Sequence, residues 1–400
     1  MEFLLPPDLI EFRKILGEFF SENFPQDSLN RFIDSSAKPS GEKDPQALWK
    51  EISDLGAISA GSSEEFGGLG FGQIASSVVL EEASRRLIPL PLFETLSLGV
   101  TSLELIATKE QKAEYLTKAL SGEFIVSGAL EQIFSALTDG SLGPAATLSD
   151  RAKNRSFGAV SMKAKKQASP KDYLLSGTSP LVPNGRSANL LIIPAQLEDK
   201  EFGLFLITPA SLSEKEVSFK DVDTLDLVRN YQDVALKNAP GVLLGTAALS
   251  TVQWEELSNR ISALVVSELV GVATQIVSIS VEYAKARQQF GKPIGSFQAI
   301  QHKLVNMHLV VEEATSLSRY ANWCADNNKS ELSKAVAAAK GYASEFIPTV
   351  AEDAIQVHGG IGFTYEYCLH LYLRRAQVLA HLYGLSADFY KKLGTELLNS

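Results

Sequence analysis

The stretch that most constrains this chain runs from Leu249 to His302. Trp254, Leu257, Ile261, Leu264, Glu268, Val272, Ile276, Ile279 and Tyr283 lie along one stripe of a helix. Gly291, Pro293 and Gly295 then break the pattern more densely than anywhere else in this part of the chain. A second helical pattern begins near Gln298. Two long helices must therefore meet through a tight loop that carries Arg287, Phe290, Gln298 and His302. A third helix is expected over roughly 330–356, and a loop of His358, Gly359, Gly360 and Gly362 leads to a fourth near Glu366. From Leu249 onward the chain reads as a four-helix bundle.

The preceding chain has two characters. Ile10, Phe12, Leu16, Phe19 and Phe20, then Leu48, Trp49, Ile52 and Leu55, recur near 3.6 residues, so the chain up to Glu123 reads as helical. The glycines at 67, 68 and 70 serve backbone angles rather than a phosphate, because no helix-opening Lys or Ser follows them. From Phe124 to Gly245 short β-rich runs alternate with turn clusters such as Pro183 to Arg186, the mark of an all-β unit. The Lys- and Ser-rich stretch from Asp150 to Asp172 reads as an exposed loop or ragged hairpin. The expected architecture is α+β: a helical domain over 1–123, a middle β domain (barrel or sandwich) over 124–246 and a helical bundle over 247–400.

Composition excludes several functions. At 400 residues the chain exceeds one small domain, and 45% hydrophobic with 21% charged residues suits an ordinary buried core. A net charge of −10 argues against a nucleic-acid track, so any anionic ligand must be held by local Arg, Lys and backbone donors. Cys324 and Cys368 both fall in helical patterns, so no structural disulfide is expected and a reducing compartment fits. No uninterrupted apolar run approaches the ~20 residues of a membrane span. The N-terminus lacks a basic segment and cleavage site, so a cytoplasmic location is expected. His302 and His358 have no third ligand at suitable spacing, and no metal site is expected.

The run Arg287, Phe290, Gly291, Pro293, Gly295, Phe297, Gln298 resembles the Arg-x-x-Phe-Gly…Gln signature of the acyl-CoA dehydrogenase family. About seventy residues further on, Gln356, Val357, His358, Gly359, Gly360 and Gly362 resemble that family's Gln-x-x-Gly-Gly-x-Gly segment. Similar residues at 49–72, at Leu225 and Asp226, and from Tyr365 to Arg375 extend the likeness over nearly the whole chain. The resemblance implies FAD as cofactor, with Arg287 on the diphosphate, Phe290 packed against the cofactor and Gln298 on the adenosine-diphosphate part. It also implies that the backbone over 356–360 approaches the diphosphate and ribose of a FAD held mainly by a neighbouring subunit. Arginine presents a fork of donors to a diphosphate, and glycine permits close approach because it has no Cβ.

Two departures from the family pattern bear on chemistry. The family abstracts a substrate proton with a carboxylate at one of two addresses. The first is held here by Tyr383, followed by Gly384, Leu385 and Ser386; the second is held by the apolar Ile261. A tyrosine with an ordinary pKa near ~10 is a poor base at neutral pH. The strand that donates to the flavin ring reads Ser127 to Ser135 and keeps only Glu131, and a second such segment becomes Leu181, Val182, Pro183, Asn184, where Pro183 offers no N–H. Glu268 has two readings, a relocated base or a structural carboxylate paired with an arginine. Its distance of about two turns from Ile261 favours the second.

The resemblance implies α,β-dehydrogenation of an acyl-CoA thioester, with electrons leaving to an electron-transferring flavoprotein, in a dimer or tetramer. Within it stand a self-sufficient enzyme with an unusual base and a base-lacking subunit completed by a sister chain. A flavin-free acyl-CoA-binding scaffold is the reading from another class.

Overall fold

The computed structural model describes residues 5–26, 29, 44–131, 133–134, 161–167, 172–198 and 201–398. The N-terminal part consists of α1 (Pro7–Asn23), α2 (Pro45–Asp54), α3 (Gln73–Arg85), a π-helical Glu94–Val100 that continues as α4 (Thr101–Ile106), and short turns from Lys109–Gln111 to Thr117–Leu120. Leu16, Phe20, Leu48, Trp49 and Ile52 bury the faces that their periodicity assigned to the core, whereas Ile10 of the first stripe is 55% exposed.

The middle part is a seven-stranded sheet: β1 (Val126–Gly128), β2 (Lys163–Lys166), β3 (Asp172–Pro183), β4 (Leu190–Gln196), β5 (Phe202–Ile207), β6 (Val217–Val222) and β7 (Tyr231–Leu243). The order is β1-β4-β2-β3-β7-β5, and β5 also pairs with β4, so five strands close into a ring with β1 and β6 attached at its sides. Closure removes exposed sheet edges. The β-rich runs expected between Phe124 and Gly245 lie in or overlap β1, β3, β4, β5 and β7, and β6 was not legible because Val217, Phe219 and Val222 are only half-buried. In the stretch expected to be loop or ragged hairpin, 163–166 pairs antiparallel with β3; 150–160 and 168–171 lie outside the described residues.

The C-terminal part holds α5 (Thr251–Ala286), α6 (Gln298–Asn327), α7 (Lys329–His358), α8 (Leu369–His381) and α9 (Ser386–Leu398). α9 adds a fifth helix to the four expected; it packs on α7, with Phe389 as its one fully buried side chain. A single buried anchor gives a weak periodic signal. α5 opens with a reciprocal cap, in which Ser250 Oγ accepts from Gln253 N and Gln253 Oε1 accepts from Ser250 N. Its wall of Leu257, Ile261, Leu264, Leu269 and Ile276 is the centre of the main core. Although polar residues interrupt its apolar runs, as expected, α5 is long and apolar enough on average to cross a membrane by length and composition. However, 83% of its apolar window is buried inside the fold, as in a core helix. At Gly271 an added Cβ would sit 2.2 Å from the Glu81 carbonyl, so α5 and α3 cross at backbone contact.

Candidate cofactor corner and an adjacent cleft

Two places in this framework carry the residues singled out above. The first is at the end of α5. Arg287 caps the helix, its N–H donating to the Tyr283 carbonyl at 2.8 Å, and its own carbonyl accepts from Ile294 N at 2.8 Å. Between them Gln288–Gln289 and Lys292–Pro293 form a small hairpin whose turn residues, Phe290 and Gly291, have φ of 51° and 78°. Two positive φ values are what a two-residue hairpin turn demands, and they place Phe290 in solvent, 91% exposed. Its ring meets the Phe297 ring edge-on at 6.1 Å. Arg287 and Gln298 are exposed, and among the described residues the Arg287 guanidinium makes no ion pair.

The second half of this corner is the end of α7. Val357 and His358 are buried, whereas Gln356, Gly359 and Gly360 are exposed. A Cβ built at Gly359 or Gly360 would meet nothing within 4 Å, and Gly359 has φ of 63°. His358 is locked on several sides. Its Nδ1 is 2.7 Å from the Ala354 carbonyl and its Nε2 3.2 Å from the Tyr367 hydroxyl. Its ring stacks on Tyr283 at 4.3 Å. The carbonyl requires a proton on Nδ1, leaving Nε2 as acceptor. Burial lowers the pKa of His358, which favours this neutral form. Tyr283 also donates to the His358 carbonyl at 3.3 Å, so one helical turn before Arg287 the two halves are joined. His302 is exposed on α6, and among the described residues no group of three or more His, Cys, Asp or Glu could hold a metal.

The second place is a cleft of about 240 Å³ between the β ring and α8. Its walls include Gly128, Leu130, Glu131, Leu181, Pro183, Arg229, Tyr231 and Tyr383. Tyr383 follows α8 with φ of 66°, is 2% exposed, and meets the Phe134 ring edge-on at 5.2 Å. Burial holds its hydroxyl well above the ordinary range. Its N–H donates to Glu131 Oε2 at 3.1 Å. Ile261 is fully buried. Lys340, also fully buried, fixes this end of α8 by donating to the carbonyls of Leu379 at 2.9 Å and Ala380 at 3.1 Å and to Ser344 Oγ at 2.7 Å. Burial lowers its pKa to about 7.

Behind the cleft lies a charged cluster that no sequence period announces. Arg229 Nη2 donates to Glu268 Oε1 at 2.8 Å, and Arg229 Nε stands 2.9 Å from Glu94 Oε1, an ion pair outside hydrogen-bond alignment. Arg375 pairs with Asp226 and lies 3.8 Å from Glu268. Glu268 thus sits behind Arg229, 3% exposed and ion-paired. Burial raises the pKa of Glu94, with Arg229 opposing. Burial also works against the charge on Arg229, but Glu268 and Glu94 outweigh it and hold its pKa well up. Arg375 and Asp226 were visible only as part of the family likeness; Arg229, Glu94 and Lys340 carried no signal, since ion pairing across distant segments has no spacing rule.

A helical part, a closed β ring and a helical bundle with an open glycine-lined corner define an α+β fold of three parts. Family models for the acyl-CoA dehydrogenase N-terminal domain and C-terminal domain match residues 21–123 and 257–387, together more than half of the chain. The chain belongs to the acyl-CoA dehydrogenase family. It is 28% identical over 346 residues to the probable acyl-CoA dehydrogenase YngJ of Bacillus subtilis (strain 168), covering 84% of this chain and 85% of that relative. Its fold is similar to butyryl-CoA dehydrogenase from Megasphaera elsdenii, with a TM-score of 0.83 at 22% identity and 100% of each chain covered. It is likewise similar to a chain of the ChsE4-ChsE5 complex from Mycobacterium tuberculosis, with a TM-score of 0.80 at 22% identity and 100% of each chain covered.

Family membership implies FAD, and the two places differ in how they suit it. The corner has an uncommitted guanidinium and two open glycines, a donor set that matches a diphosphate. Along the two segments that the family sets at the flavin ring, the described residues of the cleft offer few free donors. Leu130, Leu181 and Pro183 bring no side-chain donor, and the Ala129 N–H is already given to the Ile192 carbonyl at 3.0 Å.

Proposed function

We propose that this chain serves FAD-dependent α,β-dehydrogenation of an acyl-CoA thioester as a subunit that needs a sister chain. Arg287, Gln298 and the backbone over 356–360 hold the diphosphate end of a FAD seated mainly in the neighbour, with Phe290 packing on it. The bound cofactor supplies a hydride acceptor, and the neighbour supplies the carboxylate that takes the substrate proton. An electron-transferring flavoprotein then removes the electrons. The observation that carries this reading is the contrast between the two places. Both family addresses for the base are held by buried groups that cannot accept a proton near neutral pH, Ile261 and Tyr383. The corner meanwhile stays open and unpaired. The exposed apolar side chains Phe290, Ile361, Phe363 and Tyr365 around the corner suit cover by a second chain. The Tcur3481-Tcur3483 steroid acyl-CoA dehydrogenase is among the structures of similar fold, in keeping with this pairing.

The test is a visible spectrum of the purified chain with added FAD, then anaerobic titration with acyl-CoAs. The chain alone is expected not to bleach a flavin band, and a carboxylate-bearing sister chain is expected to restore bleaching. Arg287→Ala should abolish flavin retention in the pair. Full bleaching by the chain alone overturns the subunit reading. Absence of flavin even in the pair favours a flavin-free scaffold. One observation supports self-sufficiency: Glu131 brings a carboxylate to the cleft beside Tyr383. Glu131→Gln removes bleaching by the chain alone if that carboxylate is the base.

A further inference from the structure

A second cavity of about 240 Å³ lies apart from both the corner and the cleft. It is enclosed by the turn before α3, by α3 itself, by the π-helical segment running into α4, and by Arg260 of α5 and Asp326 of α6. The charged groups on its wall are already matched. Arg260 Nη1 donates to Asp326 Oδ1 at 3.1 Å and to Gln73 Oε1 at 3.3 Å, and Asp326 Oδ2 accepts from Gln73 N at 2.5 Å. Glu104 accepts from Ser63 N at 3.2 Å and stands 3.6 Å from Lys112 Nζ. Two hydroxyls are not matched. Ser62 is 3% exposed and Ser76 8%, both border the cavity, and among the described residues neither Oγ has a hydrogen-bond partner. Neither is sealed off, in contrast to the enclosed, unpaired hydroxyl of Ser102. Ser76 Oγ stands over the Gly61 backbone, where a Cβ would lie 2.2 Å from it, so the missing side chain leaves this hydroxyl its room. Leu96, Val100 and Leu105 give another part of the wall an aliphatic surface.

We propose that this cavity binds a small neutral polyol, with its hydroxyls on Ser62, Ser76 and Glu104 and its C–H face on the aliphatic wall. A hydroxyl both donates and accepts, as an unpaired serine requires, and it also donates to a carboxylate. A hydrocarbon would leave both serines unpaired, at the cost of their desolvation. An anion would lie against Glu104 and Asp326, and a cation against Arg260. A cavity of about 150 Å³ holds the ring of benzene, so one of about 240 Å³ takes a body of about ten non-hydrogen atoms, the size of a five-carbon sugar alcohol. This site is separate from the flavin corner, and its test requires neither FAD nor a sister chain.

Xylitol is the probe and 1,5-pentanediol its control without inner hydroxyls, each followed by saturation-transfer NMR on the purified full chain. Xylitol is expected to saturate and to bind about tenfold or more tightly than the diol, the effect of two added hydrogen bonds. Ser62→Ala combined with Ser76→Ala should weaken xylitol about tenfold or more. The same pair of changes should leave the melting temperature without xylitol unchanged or raised, because an unpaired hydroxyl adds nothing to the fold. That second readout separates a ligand role from a structural one. Absence of a saturable xylitol signal would mean that water alone fills the cavity, and it would overturn the assignment. Equal affinity for the diol, tighter binding of xylonate, undiminished affinity in the doubly substituted chain, or a fall of several degrees in its melting temperature would each do the same.

Discussion

Gly360 separates structural from ligand roles at a single residue. A side chain there meets nothing within 4 Å, so Gly360→Val should leave the melting temperature of the chain almost unchanged. If the corner receives phosphates, the same change should weaken flavin retention in the assembled protein tenfold or more, read by absorbance after gel filtration. Unchanged retention would remove the corner from the cofactor site. Lys340 makes a second prediction through its proton. Its pKa falls from 10.5 to about 7 on folding, so the unfolded chain binds more protons between those values. Stability should therefore rise with pH from about 7 to about 10, and below about 7 this residue should contribute no slope. Lys340→Met should flatten that rise in chemical denaturation at the two pH values; an identical slope in the variant would show that another group titrates. The residues of the corner were legible because their spacing follows a family signature. Arg229, Glu94 and Lys340 were not, because their meaning lies in partners 39 to 40 or more positions away, as with Arg229 to Glu268 and Lys340 to Ala380.

At the scale of elements, the long helices were legible from periodicity and the short ones were not. α5 carries an unbroken apolar stripe and a sequence-encoded cap, whereas α9 commits only Phe389 to the core. The β runs rich in Leu, Ile and Val emerged because their strands are buried, as with β4, while β6 alternates on a mostly exposed edge. The crossing of α5 and α3 at Gly271 gives the third prediction. A methyl group there would collide with the Glu81 backbone, which cannot swing aside as a side chain would. Gly271→Ala should lower the free energy of unfolding by about 1–3 kcal/mol despite the better helix propensity of alanine. A neutral or stabilising effect in denaturant titration would mean that the two helices can part without loss.

Across the whole molecule, the α, β, α order of the chain was readable, and what the sequence could not supply was which surfaces face one another. The cleft joins β1, β3, the loop before β7, and the end of α8, segments spread from Phe93 to Tyr383. The corner joins the ends of α5 and α7 through Tyr283 and His358. That stack has a consequence for the assembled protein. Since the ring of His358 is clamped between Tyr283 and Tyr367, the arginine hairpin and the glycine turn are riveted to one rigid post instead of being two separate flaps. A dinucleotide docking there would find its landing already set, with little freedom left to freeze, and loosening the rivet with Tyr283→Ala should speed cofactor escape even though tyrosine itself need never touch it.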